Sequence, residues 1–233
     1  MDATDFFAEQ RLEPNSRRRY LQLLDKVYRH LRSCGLERQD PLQLEFAKER
    51  SLEFRLPAGL DGAAQEALIR TLCDIEGWKG MRDRAMAALL LGAGLRTNEL
   101  VHLPVNSLSE SHKVRVEPMG LHHAHTTLVL PAGPWRKWLR EWRGERVGRS
   151  IPGSLMCPAT LKGTAYSPSG LFRRVSGWLD DANVESRRQG AGILRNSFAR
   201  TALTCGRYTP EEVQEFLGHQ VLRTTVRHKA TEA

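Results

Sequence analysis

Only one part of this chain alternates apolar and polar residues at the two-residue period of a strand. It is the pair "HKVRVEPM" and "HTTLVLP", joined by "GLHHA", which reads as a β-hairpin. Every other patterned stretch follows helical spacing, so the expected fold is mainly α with a small antiparallel β-sheet. No internal repeat and no low-complexity segment interrupts that pattern.

The first helix opens at an N-cap, Asn15 or Ser16, carries Tyr20, Leu23, Leu24, Val27 and Leu31 as an apolar stripe, and stops at Gly35. Its other face holds Arg17, Arg18, Arg19, Lys26, Arg29 and Arg32. That basic face suits either solvent or a DNA backbone. "RLPAGLDGAA" then reads as a linker and divides the chain into a domain at 1–62 and a second at 63–233. The second domain predicts two helices broken at "EGWKG", a third starting near Thr97, the hairpin, and a helix over "PWRKWLREWRGERV" with Trp135, Trp138, Leu139 and Trp142 on one face. Helices at "SPSGLFRRVSGWLDDANV", "LRNSFARTALTCG" and "TPEEVQEFLGH" follow, the last with Thr209 and Pro210 as its start signal.

Thirty-five Lys and Arg against 27 Asp and Glu leave a formal charge of +8. Charge of that sign favours a phosphate-backbone partner, and the excess of arginine over lysine favours bidentate recognition. Cys34, Cys73, Cys157 and Cys205 share no metal-binding or disulfide spacing, which fits a reducing compartment. An acidic N-terminus and the lack of any apolar run approaching membrane length predict neither a signal peptide nor a span. The expected location is the cytoplasm.

Two stretches carry a resemblance. "RDRAMAALLLGAGLRTNELVHL" is similar to the first arginine box of the tyrosine recombinase (phage integrase) family, roughly GLR-x-x-E-L. "ILRNSFARTALTCGRYTPEEVQEFLGH" resembles the second, a His-x-x-Arg element followed by a helix pair and Leu-Gly-His. Their order, the spacing of about one hundred residues between the arginines, and the intervening hairpin agree, over roughly residues 76–228. The resemblance implies a tyrosine-recombinase catalytic fold, preceded over residues 1–62 by a helical core-binding-like domain, with double-stranded DNA clamped between the two.

In that family a tyrosine hydroxyl attacks a phosphodiester, and charge on the non-bridging oxygens must be stabilised. The resemblance assigns the two arginine forks to Arg96 and Arg195, the acid that holds the first fork to Glu99, and a phosphate-bonding group to His219. Three positions depart. Gly192 stands where the family has the histidine of His-x-x-Arg. The hairpin lysine is missing, with His122, His123 and His125 in the turn and Lys113 as the nearest lysine; His123 and Lys113 are the expected supporting residues. Nine residues after His219, where the nucleophile belongs, stands His228, and no tyrosine follows Tyr208.

Three readings of His228 compete: a nucleophile in its own right, a DNA-backbone or packing residue in a protein that has lost strand cleavage, or a place filled by a nucleophile from another subunit. The three departures together favour the second. The expectation is a DNA-binding protein that grips phosphates with Arg96, Arg195 and His219, as an accessory recombination subunit or a site-specific regulator; the alternative is an active recombinase. Further DNA contacts are expected from Arg17, Arg18, Arg19, Lys26, Arg29, Arg173, Arg174, Arg223 and Arg227. The histidine-rich turn could ligate zinc but lacks a partner cysteine or carboxylate at matching spacing, so it reads as solvent-exposed, and neither metal nor cofactor is expected. The tryptophan stripe suits a core better than base stacking. Other recombinase subunits on DNA are a further expected partner, through weak or DNA-dependent assembly, because only five residues follow His228.

Overall fold

The computed structural model describes residues 14–36, 58–118, 120, 122–185 and 190–229. The chain divides into two compact units, Met1–Arg55 and Leu56–Ala233, so the break falls a few residues before the expected 62/63 boundary. In the first unit the described element is helix α1 (Pro14–Ser33). Its face is rotated from the expected stripe: Leu21 is fully buried, whereas Tyr20, Leu23 and Val27 are 47–57 % exposed. The sheltered side runs through Arg17, Leu21, Leu24, Tyr28 and Leu31, at helical spacing but one residue out of step. Arg17, Arg18 and Arg32 are consequently half-buried, and Arg19, Lys26 and Arg29 remain exposed, with Arg29 paired to Asp25.

The second unit is built around one apolar helix. After α2 (Gly62–Asp74), whose N-cap Asp61 accepts from the Ala64 amide at 2.7 Å, α3 (Gly77–Leu91) is buried continuously from Ala85 to Leu91. A stretch of helix that is apolar all round has to sit inside, and the C-terminal half of α3 from Ala85 does. It is covered by α2, by α5 (Trp135–Gly148) and by α7 (Ala191–Thr204). Trp135, Trp138 and Trp142 are at most 5 % exposed, which makes the tryptophan stripe core, and Trp142 Nε1 donates to the Met156 carbonyl at 2.8 Å.

Between α3 and α5 lie the short helix α4 (Thr97–His102), a 3-10 turn (Val105–Ser107) and the hairpin of β1 (Lys113–Val116) and β2 (His125–Leu128). The strands pair antiparallel with Lys113 opposite Leu128 and Val116 opposite His125. They are shorter than the alternation suggested; at one end β1 stops at Val116, two residues before Pro118, which cannot donate to a ladder. Helices α6 (Pro168–Asp181), α8 (Pro210–Leu217) and α9 (Leu222–Val226) complete the unit, which ends in a 3-10 turn (Arg227–Lys229). Thr209 caps α8 through a reciprocal bond with Glu212, and Pro210 opens it, as the sequence signals. Two packings place the site: β2 lies against α8, and the terminal 3-10 turn lies against α7. Among the described residues no helix is long and apolar enough to cross a membrane.

Candidate functional site

The site forms where the loop after α3, the start of α4, the middle of α7 and the end of α8 meet. Gly94 turns the loop with φ +70°, and a Cβ there would strike the Phe198 ring, so the loop backbone lies directly on α7. This close approach lets Arg195 donate to the Gly94 carbonyl. Two residues after Gly94, Arg96 is the N-cap of α4. Arginine has no acceptor, so the cap works one way: Glu99 accepts from the Arg96 amide at 2.6 Å and from its Nη1 at 2.5 Å.

Both guanidinium groups then reach the end of α8. Arg195 Nη2 donates to the Leu217 carbonyl at 2.5 Å and Arg96 Nη2 to the Gly218 carbonyl at 3.2 Å. The last carbonyls of a helix lack intrahelical donors and form its negative pole, so two cations fit there. Glu99, 5 % exposed, also lies 3.8 Å from Arg195 Nη1. One carboxylate thus orients two forks and leaves a net positive charge. Burial first, and Arg96 second, lower the Arg195 guanidinium to about 9, with Glu99 opposing, and it remains a cation at neutral pH.

Three imidazoles line this pair. His219 follows Gly218, the left-handed cap of α8. Its Nε2 lies 3.3 Å from Arg195 Nη2, and its Nδ1 lies 2.9 Å from Thr225 Oγ1. Because Arg195 can only donate, Nε2 accepts, and the proton sits on Nδ1, which donates to Thr225. His228, in the terminal 3-10 turn, stacks on His219 with centroids 6.1 Å apart and rings 15° from parallel, and its Nδ1 is buried without a hydrogen bond. His125 opens β2 against Gly218, where a Cβ would come within 2.7 Å of the imidazole. Neither ring nitrogen of His125 completes a hydrogen bond, although the His123 backbone lies close enough to favour the protonated ring.

These rings are held neutral. Burial, then Arg195 and Arg96, then the other two histidines push His219 down to about 3. Burial, then Arg195 and Arg200, push His228 down to about 4. His125 is also lowered, chiefly by burial, with Glu99 opposing and Arg195 and Arg96 adding to the shift. A depressed histidine leaves the unfolded chain binding more protons below pH 6.5, so stability is complete above that value and is lost as pH falls toward 4. The melting temperature should therefore be flat from pH 8 to 7 and drop already between 6.5 and 5, before carboxylates titrate. Calorimetry of His228→Gln should show a shallower drop, and a pH-independent wild type would contradict the neutral cluster.

The other expected residues divide. His123 is exposed at the mouth of a cavity of about 510 Å³ that also touches His125, His219, Gln214 and Glu215. Lys113 is exposed at the opposite end of the hairpin from His125, so it does not enter the site. Gly192 is exposed, and open space surrounds the place its side chain would take. Arg173 and Arg223 are exposed and Arg227 is half-buried. Arg174 is ion-paired with the fully buried Asp83, which also accepts from Arg82 at 3.0 Å. His125 is the residue that the sequence reading did not select. Among the described residues, no three His, Cys, Asp or Glu side chains come together as metal ligands.

Residues 60–232 match the Phage integrase family. The chain belongs to that family. Among curated phage integrase family relatives it is 28 % identical to tyrosine recombinase XerD of Vibrio cholerae, across 97 % of this chain and 74 % of that protein. It is 31 % identical to XerD of Pseudomonas aeruginosa, across 93 % and 71 %. The XerH recombinase bound to its difH substrate in a pre-cleavage complex superposes with a TM-score of 0.63 at 25 % identity, over 78 % of this chain and 53 % of XerH. This family member thus spans about half of that solved chain. The Tn1549 transposon integrase, bound to circular intermediate DNA, shares the fold at a TM-score of 0.75 and 14 % identity, over 97 % and 78 %.

Proposed function

We propose that this phage integrase family member binds duplex DNA and grips its phosphates with Arg96 and Arg195, beside His219 and His125, without cutting the strand. It would act as an accessory recombination subunit or a site-specific regulator. The observation that supports this reading is that His228, which the motif spacing would put at the family's nucleophile position, has its ring buried and stacked on His219. The two tyrosines of the second unit have other packing partners: Tyr208 packs edge-on against Phe216 at 5.3 Å, and the Arg82 guanidinium lies 5.0 Å over the Tyr166 ring. Exposed Arg19, Lys26, Arg29, Arg173 and Arg223 would add backbone contacts, which supply affinity but carry no sequence information. The core-binding-like role of the N-terminal unit belongs to the same proposal.

A second reading has one observation in its favour. His228 is neutral and its Nδ1 is unpaired, as a nucleophilic imidazole requires. Attack would form a nitrogen–phosphorus bond and release a sugar oxygen that must take up a proton. Among the described residues the three imidazoles offer no ready acid at neutral pH, since His125, His219 and His228 all have lowered pKa values, and Gly192 has no side chain to supply one. Binding without cleavage is therefore the better reading. The test is a nicked suicide duplex built on the site recovered by mapping bound DNA. The expected result is a salt-sensitive gel shift with no covalent adduct on a denaturing gel. An acid-labile adduct lost in His228→Ala would overturn it in favour of the enzyme.

A further inference from the structure

Helix α5 separates its exposed charges into two flanks. On one, Lys137 lies 3.7 Å from Glu141, and Arg149 pairs with Glu145, so the flank neutralises itself. On the other, Arg136, Arg140 and Arg143 recur at helical spacing, and none of them forms an ion pair with another described residue. That flank is concave. Together with the turn before β1 it encloses a cavity of about 320 Å³ whose floor is Leu108 and Leu139 and whose far wall is His112.

One of the three cations is built in, while Arg140 and Arg143 are displayed to solvent. Arg136 donates through Nε and Nη2 to the Val129 carbonyl at 3.2 and 3.1 Å, which fixes its fork beside the hairpin. His112 is held by its own backbone, at φ +61°, with its amide donating to Ser109 at 3.1 Å and its carbonyl accepting from Val129 at 2.9 Å. Its imidazole is lowered by burial and then by Arg136 and Arg140, so the positive field converges on it. The facing acid is Glu110, exposed at the rim, which makes no ion pair with the arginines. Three guanidinium groups against one carboxylate repel each other unless an anion joins them.

We infer that this cavity is a second anion site, separate from the Arg96–Arg195 pair, and that it takes a small phosphorylated molecule of nucleoside-diphosphate type. Two features select that class. Three forks spread along about 10 Å of helix, at ~1.5 Å per residue, exceed the reach of one phosphate and match two in a chain. The apolar floor offers Leu108 and Leu139 to a flat organic group, and the concavity suits a small ligand better than the convex phosphate ridge of a duplex. The site lies at the Lys113–Leu128 end of the hairpin whose other end carries His125. Three strand steps of roughly 3.3 Å put the two about 10 Å apart along the hairpin.

The probes are ADP and inorganic pyrophosphate, titrated into the full chain while the His112 ring resonances are followed by NMR. Saturable shifts of His112 with a rise in its pKa are expected with ADP, and weaker ones with pyrophosphate, which lacks the organic group. Replacing Arg140 and Arg143 together by glutamine should weaken ADP binding by about tenfold or more while leaving the duplex gel shift unchanged. Both side chains are exposed, so the double variant should fold, and a thermal melt checks this. Arg195→Gln should leave ADP binding intact, which separates this site from the duplex clamp. No His112 response, or ADP affinity unchanged in the double variant, overturns the inference. So does a loss of duplex affinity in that variant, which would make the flank part of the DNA path.

Discussion

Replacing Glu99 by alanine is expected to destabilise the folded chain by about 3 kcal/mol, the low end for removing one partner of a buried charge network. Glu99 is 5 % exposed and accepts from both the backbone and the side chain of Arg96, with Arg195 3.8 Å away. Its removal leaves two guanidinium groups facing each other, and α4 loses the acceptor for its N-cap amide. The low end applies because the Arg96 side chain keeps 21 % of its exposure and can turn to water. Urea unfolding should show a lower midpoint at an unchanged slope. Duplex DNA should raise the melting temperature of the variant more than that of the wild type, because a phosphate supplies the missing negative charge. Equal rises would mean that the two arginines do not meet phosphate.

The second large effect falls on binding. Arg195→Gln should weaken duplex affinity by roughly 10- to 150-fold, the range for losing a charge-assisted hydrogen-bonding group. The slope of log affinity against log salt should flatten by about one unit, since one phosphate neutralisation is lost. Arg195 is suited to this role because the Gly94 and Leu217 carbonyls already fix its fork, so little rotamer freedom remains to be lost on binding. Exposed Arg173 has no such support, and its replacement should cost far less. Gel shifts at four or five salt concentrations measure both numbers. An unchanged affinity and slope for Arg195→Gln would remove the phosphate clamp from the proposed function.

The three histidines of the hairpin turn show where sequence reading was one step short. His123 was the expected supporting residue, yet His125 is the ring that lies against Gly218. A signal was available in the alternation, because Thr127 in β2 and Val129 just after it are buried and His125 shares their parity. The strand has to start at His125 for that parity to decide, and Met119–His123 has no pattern that says so. Lys113 failed for a related reason: an antiparallel register sends the two ends of a hairpin to different places. On α1 the stripe was recognised as helical, but a one-residue error turned its face by about 100°.

Local chemistry made the elements legible. Helix type and order, the cap at Thr209 and the hairpin can all be read within a few residues of chain, because periodicity, capping and turn propensity act over that range. The two arginine boxes were legible only through their resemblance to a known family. Tertiary structure alone decided what those residues do together. Arg195 meets the Gly94 carbonyl across 101 positions and Arg96 meets the Gly218 carbonyl across 122. Arg174, expected from the sequence as a DNA contact, is paired with Asp83 across 91 positions. The neutrality of His219 and His228 depends on burial beside Arg195, and desolvation is set by everything packed around a side chain rather than by its neighbours in sequence.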